Sequence, residues 1–112
     1  MASIGPILAV PGIREALRAR RERVVGVSGI VGGAPLAGMA DKLMPVAGVE
    51  VTAAGAAACY RGLLTGWVID EVDRNLGPRI EATGVRVAVT DTIMTDDAKA
   101  EAVARTALGV LP

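Results

Sequence analysis

The sequence predicts an α/β fold: a partial Rossmann-like parallel sheet of about three strands, with flanking helices and a small helical insert. Short runs rich in Val and Ile, at Val24–Ser28, Trp67–Ile69 and Val85–Val89, are separated by stretches with helical spacing. The first run is nearly all apolar rather than alternating, as expected of a strand covered on both faces. Strands that alternate with helices imply parallel pairing, because each helix carries the chain back to the same end of the sheet.

In chain order, Ser3–Val10 is short and apolar with Gly5 and Pro6 inside it, and reads as the tail of a strand or a loop. Pro11 suits the first turn of a helix, where a missing N–H costs nothing. Ile13 and Leu17 share a helical face while Arg14, Glu15, Arg18 and Arg21 lie mostly elsewhere, so this helix is expected to run to about Arg21. Val24–Ser28 is the first strand, followed by a turn carrying Gly29, Gly32 and Gly33. Two helices form the insert of about residues 38–64. The first runs from Gly38 to Met44 and stops near Pro45; the second runs from about Thr52, a natural cap, to Leu64, with Gly55 as its weak point. Trp67–Ile69 is the second strand and ends at Asp70. Val72, Leu76 and Ile80 then recur every four residues and predict an amphipathic helix over 71–80, interrupted at Gly77-Pro78. Val85, Val87 and Val89 mark the third strand, which exits through Thr90-Asp91-Thr92. Thr95 is the expected cap of a last helix, with Asp96 and Asp97 complementing its dipole and Val103, Ala107 and Leu108 on its buried side.

The 112 residues suffice for one small domain, spanning 1–112. With 52% hydrophobic and 21% charged residues, a folded rather than a disordered chain is expected. There is no Phe, one Trp and one Tyr, so the core is aliphatic and no aromatic platform exists for stacking bases; with zero net charge, a nucleic-acid partner is not expected. The absence of His excludes a Ser-His-Asp triad, a Cys-His dyad or a His-ligated zinc from this chain alone. Cys59 is the single cysteine, which excludes an internal disulfide, and its alanine-rich surroundings predict a buried, inert thiol. The uncharged stretch Val24–Ala40 follows Arg18, Arg20, Arg21 and Arg23, in the manner of an anchor. It contains five glycines and Pro35, however, and falls short of the ~20 apolar residues of a membrane span. No membrane partner and a cytoplasmic location are therefore expected. The apolar edges of so small a sheet predict a homo-oligomer.

Ligands of open parallel sheets bind beyond the C-terminal ends of the strands. Three segments leave such ends: Ser28–Gly33, Asp70–Asp73 and Thr90–Thr95. In the first, Ser28, Gly29, Ile30, Val31, Gly32 and Gly33 offer backbone N–H groups and one hydroxyl to a phosphate; the alternative is a tight strand-to-helix turn that binds nothing. The segment matches neither a Walker loop nor the dinucleotide fingerprint. Asp70 reads first as a helix cap with Glu71 and Asp73 in an acidic first turn; the alternative is a magnesium ligand or a group orienting a hydroxyl. Asp91 either braces its turn or contacts a ribose or metal. The arginines of residues 14–23 form a solvated helix face or meet an anionic partner. The catalytic residues are not identified on this reading, and no metal ligand is assigned.

The segments SIGPILAVPGIREAL, VSGIVGGAPLAGMADKLM, GWVIDEVD (after Tyr60) and VTDTIM together resemble the C-terminal part of the 2-phospho-L-lactate transferase family. The resemblance runs in order over nearly the whole chain. It implies a role in making the deazaflavin coenzyme F(420): transfer of a phospholactyl or phosphoenolpyruvyl group from a guanosine diphosphate conjugate to the deazaflavin precursor Fo, with release of GMP. It also implies Mg²⁺, with ligands outside this chain, because the family's acidic metal ligands and acceptor site lie in its N-terminal half. The isolated chain is accordingly expected not to catalyse the transfer. The family's glycine segment reads like SPIVGG followed by LKGPADK; Gly29, Ala37 and Met39 stand here for a proline, a lysine and a second proline. These changes remove a charge near phosphate and loosen the loop. The other expectation open at this point is a non-catalytic nucleotide-binding or oligomerising fragment of the same superfamily.

Overall fold

A computed structural model describes residues 4–36 and 38–112; Ser3 and Ala37, both named above, lie outside them. The main sheet has three parallel strands: β1 (Val25–Val27), β4 (Gly66–Asp70) and β5 (Arg86–Thr90), in the order β1-β4-β5. Val25 pairs with Gly66 and Gly66 with Arg86, so the three strands point the same way and their C-terminal ends share one edge.

The central strand β4 is buried at every position, as a strand covered on both faces must be. Its odd-numbered residues Trp67 and Ile69 pack with Ala53 and Ile80 on one face; Gly66 lies beneath Val110 on the other. The first face is covered by α4 (Ala53–Ala58) and α5 (Gly77–Glu81), the second by α6 (Asp97–Val110). Trp67 ties its face together: its indole N–H donates to the Ala53 carbonyl at 3.1 Å. It also explains Gly26, whose neighbour across the sheet is Trp67; a Cβ there would run into the indole ring. Full coverage thus falls on β4, not on the first strand. β1 lies at the edge of the sheet, and Val27 is 40% exposed.

Several elements depart from the sequence expectations. Residues expected to be strand tail or loop form a helix, α1 (Ile4–Leu8), with Leu8 buried. Pro6 is tolerated because it sits within the first turn. The helix expected to reach Arg21 is α2 (Ile13–Ala19), followed by a 3₁₀ turn at Arg21–Arg23. In the region of the expected insert lie α3 (Ala40–Val46), with Pro45 near its end, and α4. Thr52 caps α4 as expected, accepting from Gly55 N–H at 3.0 Å, but the helix stops at Ala58 rather than Leu64. Cys59 is half-buried rather than fully buried, its thiol donating to the Gly55 carbonyl at 3.5 Å.

The segment after Asp70 is a 3₁₀ helix over Glu71–Leu76 that gives way to α5, with Pro78 in the first turn of the new helix rather than kinking an old one. The change of period reverses which side chains face inward. With three residues per turn, Asp70, Asp73 and Leu76 share a face, so Asp73 is buried and Val72 is 64% exposed. At the last helix, Asp96 rather than Thr95 is the cap, accepting from Lys99 N–H at 2.8 Å. Val103 and Val110 are its buried pair. Leu108, five residues beyond Val103, is turned about 140° away and is exposed. Among the described residues, no helix is long and apolar enough to cross a membrane.

Candidate functional site

The three segments at the C-terminal edge are joined directly to one another. After β1, Ser28 N–H donates to the Val68 carbonyl at 2.9 Å and prolongs the ladder with β4. The buried Ser28 hydroxyl donates to the Ile30 carbonyl at 3.0 Å and accepts from Ile30 N–H at 3.1 Å, so it braces its own loop. Next comes a small hairpin, β2 (Ile30–Val31) and β3 (Ala34–Pro35), with Ile30 opposite Pro35. Gly32 and Gly33 form its two-residue turn with φ of 61° and 83°. Two consecutive positive φ values match the twist of a tight hairpin and are open to glycine at little cost. The glycine segment is therefore a hairpin turn, and the chain runs on to Ala40 before α3 begins. It is not a strand-to-helix turn.

Gly32 N–H, one of the groups offered to a phosphate by the sequence reading, is engaged here by a side chain. It donates to both carboxylate oxygens of Asp73, at 3.1 and 3.3 Å. Asp73 is 41 residues away in sequence and buried, so its carboxylate fastens the first segment to the second. Gly29 and Gly33 remain exposed, Ile30 is buried and Val31 half-buried.

Asp70 performs the same service between the second and third segments. One of its oxygens accepts from Thr92 N–H at 2.9 Å and from the Thr92 hydroxyl at 3.0 Å; the other accepts from Val72 N–H at 3.1 Å and caps the 3₁₀ helix. Burial pushes the Asp70 carboxyl up, but the Thr92 and Val72 donors together outweigh it and hold it below its ordinary value. Asp91 faces outward. Its carboxylate accepts from Ile93 N–H at 3.0 Å and pairs with the Lys99 ammonium at 3.2 Å, and these two partners hold its carboxyl below the ordinary value as well.

All three segments that the sequence singles out thus meet at one edge. Asp73 and Thr92 emerge as the residues that join them. Asp73 stands in the predicted acidic turn, but only the 3₁₀ period shows that it points inward. Thr92 belongs to a polar exit segment that gives no sign of being buried. The carboxylates of Asp70, Asp73 and Asp91 each serve a hydrogen bond or ion pair. Among the described residues no three His, Cys, Asp or Glu side chains come together as a metal site.

A three-stranded parallel sheet flanked by helices defines an α/β protein, a class in which ligands generally bind beyond the C-terminal ends of the strands. Comparison with known proteins is more specific. The profile of the family 2-phospho-L-lactate transferase CofD matches residues 1–108, and the chain belongs to that family. It is 50% identical over 109 residues to the phosphoenolpyruvate transferase of Streptomyces griseus, covering 96% of this chain and 34% of that protein. To the protein of the same description from Streptomyces coelicolor it is 52% identical over 110 residues, covering 96% and 34% respectively. To the 2-phospho-L-lactate transferase of Methanosarcina mazei it is 42% identical over 104 residues, covering 93% and 34%. The chain therefore spans about a third of the length of these curated relatives.

Proposed function

We propose that this chain forms the C-terminal part of a transferase that moves a three-carbon phosphoacyl group from a guanosine diphosphate conjugate to the deazaflavin precursor Fo. A hydroxyl oxygen of Fo bonds to the phosphorus that carries the three-carbon acid. The bond from that phosphorus to the bridging oxygen breaks, GMP leaves with the electron pair, and the hydroxyl proton passes to solvent. Catalysis of this kind rests on positioning and electrostatics, which suits a chain without histidine. Identity is higher to the Streptomyces phosphoenolpyruvate transferases than to the Methanosarcina protein, which favours phosphoenolpyruvyl as the group moved. A magnesium ion in this reaction would take its ligands from outside the carboxylates of this edge.

The observation that carries the reading is the fastening of the glycine hairpin to the 3₁₀ helix after β4 through Asp73, and of the end of β4 to the exit of β5 through Asp70. It sets exposed glycine backbone at Gly29 and Gly33 on a rigid edge, where a diphosphate can approach the main chain closely. Calorimetric titration of the chain with GDP tests this. Binding is expected, and Gly32→Val should abolish it while Asp91→Ala preserves it. Absence of heat with GDP and GMP would refute the nucleotide site. The exposed edge strand β1 supports self-association in the cytoplasm, and a strictly monomeric species by light scattering at high concentration would refute that part.

A further inference from the structure

A groove of about 460 Å³ lies between α4 and α5. Arg21, Leu64 and Val85 line it and stand just before β1, β4 and β5, so it opens at the N-terminal ends of the strands, opposite the edge described above. Its space comes from α4, where Ala54, Ala57 and Ala58 present only methyl groups. Three arginines border it, Arg21, Arg61 and Arg79, against one acidic residue, Glu50. Glu50 is committed to Arg79 at 2.8 Å. Among the described residues, neither Arg21 nor Arg61 belongs to an ion pair, and both are exposed.

We propose that this groove binds a small aryl phosphate or a molecule of the same chemistry: a flat apolar body laid against the half-buried Ala57, Leu64 and Val85, with its anionic group held by Arg21 and Arg61. The Glu50–Arg79 pair shows an oxyanion already held by a guanidinium within the same groove. A planar guanidinium fork suits phosphate oxygens, and the apolar walls supply the area that a bare ion cannot use. The site shares no residue with the nucleotide edge, so it stands or falls separately from the transferase reading.

The single Trp67 is a built-in reporter, because its ring lies 6.0 Å from that of Tyr60, which lines the groove. Titration of the chain with phenyl phosphate should give a saturable change in Trp67 fluorescence. Arg21→Gln and Arg61→Gln, both at exposed positions, should each weaken binding about tenfold with an unchanged circular dichroism spectrum. Ala57→Leu should fill the groove and abolish binding. Inorganic phosphate and phenol, each half of the ligand, should bind at least about tenfold more weakly. No saturation would overturn the proposal. So would saturation indifferent to both arginine substitutions, which marks an adventitious additive only. Inorganic phosphate binding as tightly as phenyl phosphate would overturn the role of the apolar walls.

Discussion

Replacing Asp70 by alanine removes the acceptor of three hydrogen bonds at once, and its effect on stability follows from where the donors lie. Thr92 is 1% exposed, so its N–H would be stranded away from water. A buried donor left unpaired costs about 1–3 kcal/mol. The Val72 N–H is the capped donor of the 3₁₀ helix, and loss of a cap costs about 1 kcal/mol. The Thr92 hydroxyl loses its partner too, but it can rotate. Together these give about 2–4 kcal/mol, a large share of the ~5–15 kcal/mol that holds a domain folded. In urea, with a slope of about 1.5 kcal/mol per molar, the midpoint should fall by roughly 1.3–2.7 M. Asp70→Asn keeps an acceptor for Thr92 but turns an amide NH₂ toward Val72 N–H, and should cost about 1–2 kcal/mol. Asp91→Ala, which breaks a solvent-exposed pair, should cost less than about 1 kcal/mol. The assay is urea unfolding followed by Trp67 fluorescence and far-ultraviolet circular dichroism. Asp70→Ala no less stable than Asp91→Ala would refute the reasoning.

The same residue carries a pH signature. Its carboxyl is held below the ordinary value in the folded chain, so its stabilisation is fully present above the unfolded value of ~3.9 and fades as pH falls through the folded one. The stability gap between the wild type and Asp70→Asn should therefore narrow on acidification through that window. A gap independent of pH would contradict the assignment.

Two further outcomes follow from packing and from the hairpin. Gly26→Ala should cost about 1–3 kcal/mol because its methyl group runs into the Trp67 ring, and the near-ultraviolet dichroism of that tryptophan should change with it; an unaltered spectrum and midpoint would argue against this contact. Asp73→Ala should lower global stability by only about 1 kcal/mol, since the exposed Gly32 can turn to water, yet amide exchange across residues 30–35 should accelerate markedly; unchanged exchange would show that the carboxylate does not hold the hairpin.

Much of the framework is readable from local pattern. The runs at Val24–Ser28, Trp67–Ile69 and Val85–Val89 correspond to β1, β4 and β5, and Thr52 caps α4 as its chemistry dictates. The misreadings have specific causes. Spacing of four residues at Val72, Leu76 and Ile80 imitates an α-helix, but the backbone tightens to a 3₁₀ period, and one valine turns outward while an aspartate turns in. At α6, Thr95 and Asp96 are both competent caps, and the backbone places the aspartate where the first free N–H groups converge. In the glycine segment, glycine richness signals an unusual backbone without specifying which, and a hairpin turn satisfies it as well as an anion loop does.

The sequence by itself determined the class of fold, the parallel order of helix and strand, and the three segments that end at one edge, because these depend on apolar periodicity and on turn chemistry within a few residues. It also carried the family, through ordered motifs along the chain. Only the tertiary structure decided what the polar groups of those segments do. The Asp73 carboxylate reaches Gly32 across 41 residues, and Asp70 reaches Thr92 across 22. Such partners are chosen by the register of the sheet and by the need to satisfy buried donors and acceptors, a condition on the whole packed chain that no local stretch of it expresses.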